Sequence, residues 1–318
     1  MLENPEINRR LIMMEIPEPV DNLQDLEDLF YGTQVEQVAR FYHHFEDAAS
    51  ILKWVRERKN GRADIFEVDG DRNIVVVIPT RDHHGKYSLH CSNHIFKGFQ
   101  QVFVENGSDI RGFNYARNCN IGLKRALKYQ PSWIILSNDD MYMIDKPETL
   151  TGELAGKDPE RYVSLFTSPP GDYHSYLGGF GLTTHLRNLA LRVTGNLQRE
   201  QLQIEQKFSI RIVPAYPNRI RRILSKGNRF FHITSSFSIF SGKFVKEKSG
   251  AVFDEMFLNM WEDTDISYQI SRNPEYLSFI NYRIGDMIGS SFGNTGARHL
   301  RSMVSRIYFN IKYGHLFE

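Results

Sequence analysis

The chain has 318 residues, 41% hydrophobic and 24% charged, the balance of an ordinary globular protein with room for a substantial core. Its only cysteines, Cys91 and Cys119, exclude a disulfide framework, and no window is long and apolar enough to suggest a membrane span. The N-terminus MLENPEINRR lacks an apolar signal core, so a reducing, cytoplasmic setting is expected.

Residues 1–72 read as an acidic, irregular leader followed by helix, a packing extension. The run FEDAASILKWVRERKNG spaces Phe45, Ala48, Ala49, Leu52 and Val55 for a helix that Gly61 would stop. The period then changes. DRNIVVVIPTR carries five consecutive apolar residues, Ile74 to Ile78, ended by Pro79, the pattern of a strand buried on both faces. QQVFVENGSD and SWIILSNDD repeat it, with the helix-like stretches YSLHCSNHIFKGF and ARNCNIGLKRALKY between. Such alternation predicts an α/β fold with a mostly parallel sheet, whose ligands sit beyond the carboxyl ends of the strands.

Residues 169–232 break the rhythm and read as a helical insertion over one edge of the sheet. From Leu182 to Phe230 it holds ten Lys or Arg against Glu200 and Glu205, a local excess of +8 within a chain of net charge +1. Clustered positive charge attracts polyanions, here diphosphates or the anionic inner face of a membrane in peripheral contact rather than nucleic acid, although a solvated helical face would carry the same residues. A further strand-like run, FFHITSSFSIFS, leads into FDEMFLNMWEDTDISYQISR. The tail from Tyr282 holds Gly285, Gly289, Gly293 and Gly296, either turn glycines or a closing lid, before the helical HLRSMVSRIYFNIKYG.

The polar residues fall at the strand ends. Asn138, Asp139 and Asp140 end one strand, and adjacent carboxylates there repel unless a cation such as Mg²⁺ or Mn²⁺ offsets them, although a turn or helix cap would use the same residues. Glu105, Asn106, Ser108 and Asp109 end another and suit a base edge or ribose hydroxyls. Thr80 and Arg81 follow the first strand, within reach of ribose or phosphate. His83, His84, His90, Cys91 and His94 crowd together, and His90 and His94 would share a helix face, but their spacing completes no zinc set. In Phe253–Arg272, Asp254, Glu255, Glu262, Asp263 and Asp265 surround Trp261. That combination suits a site that takes a proton from a hydroxyl while gripping a sugar ring.

In series, VVVIPTR, VFVENGSD, YARNCNIGLKRA, ILSNDDMYM and FDEMFLNMWEDTDIS resemble the inverting family 2 glycosyltransferases of the GT-A fold, over roughly Asn73 to Tyr313. The resemblance implies a GT-A domain over 73–318, with a nucleotide-sugar half at 73–145, an acceptor half at 233–282 and a C-terminal loop and helix at 283–318. It implies a UDP-, GDP- or dTDP-linked sugar donor, a divalent metal, and a saccharide, lipid-linked or protein acceptor. Thr80, Arg81, Glu105, Asn106, Arg117, Asn118 and Asn138 would then line the donor. Asp139, Asp140 and His299 would hold the metal. Asp254, Glu255 and Trp261 would shape the acceptor pocket, and the Glu262-Asp263 pair would supply the base, Asp263. Two positions depart from the family pattern, Glu105 where Asp is usual and Asn138 at the first position of the DxD-type motif. The competing readings are a two-carboxylate glycoside hydrolase, a sugar-nucleotide pyrophosphorylase and a non-catalytic sugar or polyanion binder that keeps the fold.

Overall fold

The computed structural model describes residues 23–167, 175–182, 195–215, 229–258, 260–287 and 296–317. Three helices come first, α1 (Leu23–Phe30), α2 (Val35–His43) and α3 (Ala48–Glu57). The last begins at a reciprocal cap, in which Asp47 Oδ1 accepts from the Ser50 amide at 2.8 Å and Ser50 Oγ accepts from the Asp47 amide at 3.3 Å. It ends at Glu57, where Arg58 turns extended. Gly61 is therefore not its stop. Gly61 instead lies against Gly112, its amide donating to the Gly112 carbonyl at 2.8 Å, and a Cβ on Gly61 would stand 2.8 Å from the Arg111 oxygen.

Strands β1 (Asp64–Val68) and β2 (Asp71–Thr80) follow, then helix α4 (Lys86–His90), which widens into a π-turn at Cys91–Ile95, and β3 (Phe99–Glu105). Next come α5 (Tyr115–Ala126), β4 (Trp133–Ser137), β5 (Met141–Met143), α6 (Pro147–Ala155) and β6 (Ser164–Thr167). The central sheet has seven strands in the order β1, β3, β2, β4, β10 (Phe237–Ser241), β6, β11 (Leu277–Ile280). β2 pairs in parallel with β3 and β4, and β6 with β11. β1 and β10 run antiparallel to their neighbours, so five strands share one direction in a mixed sheet. With helices on both faces, the fold is α/β and its parallel β3-β2-β4 core is Rossmann-like. Strand β1 and the start of β2 come from residues expected to form a separate extension. They are part of the sheet.

Alternate residues of β2 serve opposite faces, as the continuous apolar run requires. Ile74, Val76 and Ile78 pack with Cys91, Ile95 and α6 (Leu150, Leu154), whereas Val75 and Val77 meet α5 (Ala116, Cys119, Leu123). α5 sits so close to β2 that a Cβ on Gly122 would stand 2.3 Å from Val77 Cγ1.

The segment expected as a helical insertion contains one described helix, α7 (Asn196–Lys207), and also β7 (Ser175–Leu182), β8 (Ile212–Ala215) and β9 (Arg229–Ile233), a separate antiparallel sheet in the order β8, β7, β9. It is thus partly β. Arg187, Arg192, Arg219, Arg221, Arg222 and Lys226 lie outside the described residues. FFHITSSFSIFS is likewise not one strand. It breaks at Thr234–Ser236, β9 joining the small sheet and β10 the large one. Helices α8 (Gly242–Glu247) and α9 (Glu262–Ile270) close one face of the large sheet, and β12 (Ile284–Asp286) pairs antiparallel with β5. The final helix, α10 (Gly296–Tyr313), packs Leu300, Met303, Val304 and Ile307 against Phe30, Phe41 and Trp54 of the first three helices. No helix among the described residues is long and apolar enough to cross a membrane.

Candidate functional site

Because β2, β3 and β4 are parallel, their carboxyl ends deliver side chains to one edge. Thr80 stands opposite Glu105 in register, and the Asn106 amide donates to the Thr80 carbonyl at 3.0 Å. The Thr80 hydroxyl donates to Asp139 Oδ2 at 2.5 Å and lies 2.8 Å from Ser88 Oγ, which in turn is 3.4 Å from the same carboxylate. From below, Cys91 Sγ donates to the Asp139 carbonyl at 3.1 Å. Burial pushes that thiol up to about 12, so it stays protonated as a donor. The π-turn that brings Cys91 under this loop is the sort of irregularity that helices keep near working sites.

Glu105 does not face the edge unengaged. His83 binds its Oε2 twice, from the backbone amide at 3.1 Å and through Nδ1 at 2.6 Å, while Arg62 lies 3.5 Å from Oε1. Burial opposes ionisation of Glu105, but His83 and Arg62 overcome it and hold the carboxyl below its ordinary range. The His83 ring is itself stacked on Phe66 at 3.7 Å. Asp82, His83 and Glu105 bring one ligand atom each within 4.8 Å of one another, the sole such group among the described residues. His90 and His94 do share a face, their rings 5.1 Å apart, but both are exposed and build no such group.

The acid pair is set by an unusual approach. Met260 (φ 75°) and Trp261 (φ 81°) both occupy the left-handed region, each at a cost of about 1–2 kcal/mol for a residue with a side chain. The two residues swing the chain so that Glu262 and Asp263 open α9, where the helix amino end favours negative charge. Glu262 is 3% exposed, and its Oε1 accepts from Ser235 Oγ at 2.9 Å. Burial first, and then the Asp263 charge, raise its carboxyl well above the usual range. Asp263 keeps 20% of its side chain exposed. Burial works against its charge, yet His232, the Thr264 amide at 2.6 Å and the Ser235 amide at 3.5 Å hold it low. His232 Nε2 lies 3.7 Å from Asp263 Oδ1 and 3.1 Å from Thr264 Oγ1.

One chain of contacts joins the two halves. The Tyr115 hydroxyl is shared between Asn138 Oδ1 at 2.8 Å and the Ser235 carbonyl at 3.0 Å, and the Asn138 amide donates to the Ser236 carbonyl at 2.8 Å. Asp286 of β12 is also present. The neighbouring Met287 amide donates to the Asp140 carbonyl at 3.0 Å. Burial, and then the charge of Asp140, push the Asp286 carboxyl up to about 6. Tyr115, His232, Ser235 and Asp286 were not singled out from sequence. The pairing of β5 with β12 brings in Asp286, and the break between β9 and β10 brings in His232 and Ser235, neither leaving a motif, while Tyr115 opens α5 within a segment whose other residues drew the attention.

Other expected site residues are engaged elsewhere. Trp261 is 5% exposed and packs on Phe309 with ring centroids 4.9 Å apart, so it is core and offers no face to a sugar. Asp254 is bound by Tyr308 at 2.7 Å and Lys312 at 2.8 Å, and Lys312 bridges on to Asp265 at 2.8 Å, which pins the end of α10. Glu255 is exposed but accepts from Asn120 at 3.0 Å. Arg117 donates to the Gly61 carbonyl at 3.1 Å, bracing a loop. Asn118 is 1% exposed, and its side-chain nitrogen has no hydrogen-bond partner among the described residues. Arg81 and His299 are exposed, the latter on α10. Of the glycines expected in a lid, Gly285 belongs to β12 and Gly296 opens α10, while 288–295 lie outside the described residues.

The fold and site define an α/β protein with an acid-rich site at the carboxyl edge of parallel strands. No profile of a known protein family matches the chain, and no curated protein matches it.

Proposed function

We propose that the chain is an inverting glycosyltransferase of the GT-A type, moving a sugar from a nucleotide diphosphate to an acceptor hydroxyl. The observation that carries this reading is that Asn138 at the end of β4 and Glu262 at the start of α9, far apart in sequence, are joined through Tyr115 and Ser235 into one site. A transferase of two substrates needs that adjacency.

A Mg²⁺ or Mn²⁺ ion bound with the diphosphate would draw on few protein oxygens at this strand end, since the one group of three ligand atoms within 4.8 Å among the described residues is Asp82, His83 and Glu105. Asp140 and Asp286 lie close enough that, after burial, the charge of Asp140 raises Asp286, and a cation held by their carboxylate oxygens would relieve that part of the shift. Asp286 would take the part that the family resemblance gives to His299, which is exposed on α10. When bound, the ion would offset charge developing on the departing diphosphate.

The remaining work falls to the protein. Thr80 and Ser88 fix the Asp139 carboxylate. Asn106, Asn118 and Asn138 supply amides for the nucleoside, with Glu105 oriented by His83. Asp263, held ionised, takes the proton of the acceptor hydroxyl as its oxygen attacks the anomeric carbon and the bond to the diphosphate breaks. Glu262, its proton retained by burial, spares the site a second negative charge beside that base. The displacement inverts configuration in one step.

A panel of UDP-, GDP- and dTDP-linked sugars with Mn²⁺ tests the reading through release of nucleotide diphosphate. Release from none of them, with acceptor extracts supplied, sinks it. Asp263→Asn is expected to cut turnover by about a hundredfold or more, the scale of a lost general base, while nucleotide binding persists. Turnover unchanged in that variant assigns the base to another residue.

A further inference from the structure

The three residues between β9 and β10 do more than turn the chain. Ser235 Oγ donates to Glu262 Oε1 at 2.9 Å, and its amide approaches Asp263 Oδ2 at 3.5 Å. Its carbonyl accepts from Tyr115, which also holds Asn138. Next to it, the Ser236 carbonyl accepts from the Asn138 amide at 2.8 Å, and the Ser236 hydroxyl binds Asp286. A turn that only reversed direction would have no use for bonds to four separate elements, namely β4, α5, α9 and β12. The turn is itself braced, with Thr234 Oγ1 2.9 Å from Ser236 Oγ and the Phe237 amide donating to the Thr234 carbonyl at 3.3 Å. Its side chains are buried or half-buried, so the bonds exchange little with water.

We infer that the Thr234–Ser236 turn is a positioning element that sets the Glu262–Asp263 pair against the Asn138–Asp140 strand end, with Ser235 as the residue that couples the two. Ser235 is not a catalytic residue. It acts through Glu262 and Asn138, fixing where the acid pair stands relative to the donor. The physical reason is geometric. A proton acceptor displaced by about 1 Å from its partner can lose on the order of a hundredfold in rate without any loss of binding. β9 and β10 belong to different sheets, and this turn is where the chain that passes from one to the other bonds both the acid pair and the β4 end.

The rate part of the test rests on the glycosyl-transfer reading, and an exchange part does not. With a nucleotide sugar from the panel above, Ser235→Ala is expected to lower kcat about tenfold or more, the effect of one lost buried hydrogen bond. Affinity for the nucleotide with Mn²⁺, measured by calorimetry, should stay within about threefold of wild type, since a positioning loss is a kcat loss. Ser235→Thr, which keeps the hydroxyl, should restore most of the rate. By hydrogen exchange, Ser235→Ala should speed exchange both in a peptide spanning 134–140 and in one spanning 260–266, and Tyr115→Phe, which cuts the tie from the other end, should speed the same two. Wild-type turnover in Ser235→Ala, or faster exchange confined to the turn itself, overturns the inference. If the wild-type protein releases nucleotide from no donor, the transferase reading falls, and the exchange measurement alone still decides whether the turn couples the two halves.

Discussion

Glu262 and Asp263 are adjacent carboxylates that their surroundings drive apart, one towards the neutral acid and the other towards the anion. Such divergence is how a site assigns a proton to one group and leaves the other able to take one. It also predicts a pH dependence of stability. Because the folded protein binds the Glu262 proton more tightly than the unfolded chain does, its contribution is full below the ordinary carboxylate range and is lost as pH rises through the raised folded value. Asp263 has the opposite sign, contributing above the ordinary range and losing as pH falls through its lowered value. Glu262→Gln, neutral at every pH, should therefore gain thermal stability over wild type as pH rises from the carboxylate range. Melting curves across that range check it, and a difference that does not change with pH would show that Glu262 is not held neutral.

Among the elements, the loop 107–113 is braced in large part by residues that precede β1. Glu27 Oε2 accepts from the Gly112 amide at 2.9 Å, Tyr31 donates to the Phe113 carbonyl at 2.5 Å, and Arg58 Nη1 donates to the same carbonyl at 3.2 Å. Glu27 and Arg58 form a two-pronged ion pair, 2.7 and 2.9 Å, with side chains 10% and 4% exposed. Removing one partner strands a buried charge. Arg58→Ala should lose about 3–5 kcal/mol in guanidinium unfolding, and the double replacement Glu27→Gln with Arg58→Met should lose less than that single change.

Legibility divides along the same line. β2 and β4 are readable because a strand buried on both faces carries a continuous apolar run, and β3 through Val102–Val104 despite its buried Gln100 and Gln101, with Thr80, Glu105 and Asn138 where those runs end. The break in FFHITSSFSIFS was not, since Thr and Ser suit strands and turns alike, and only the sheet that each half joins separates them. Trp261 misled because an aromatic beside acids has the same sequence signature whether its ring faces a ligand or Phe309. Asp286 was invisible because β12 is three residues long and pairs with an equally short β5.

At the scale of the whole molecule, the helices before β1 are not an appendage. Phe30, Phe41, Ile51 and Trp54 share one core with Leu300, Met303, Val304 and Ile307, and Tyr42 donates to the Leu300 carbonyl at 2.5 Å across 258 residues of sequence. Deleting residues 1–59 should expose the apolar face of α10 and abolish cooperative unfolding, which calorimetry and dye binding would reveal. A truncated chain that melts in one sharp transition would instead make the 1–72 segment a dispensable extension.

The same junction bears on how the protein is made. Helices α1 to α3 leave the ribosome well before their partner α10, which follows them by more than two hundred residues. At about 5–20 residues per second, translation leaves these aromatic helices without their partner for on the order of 10–50 seconds. During that interval Phe30, Phe41 and Trp54 of these helices are exposed without the core they later share. This aromatic layer therefore needs shielding during synthesis, and its folding can finish only once α10 has emerged.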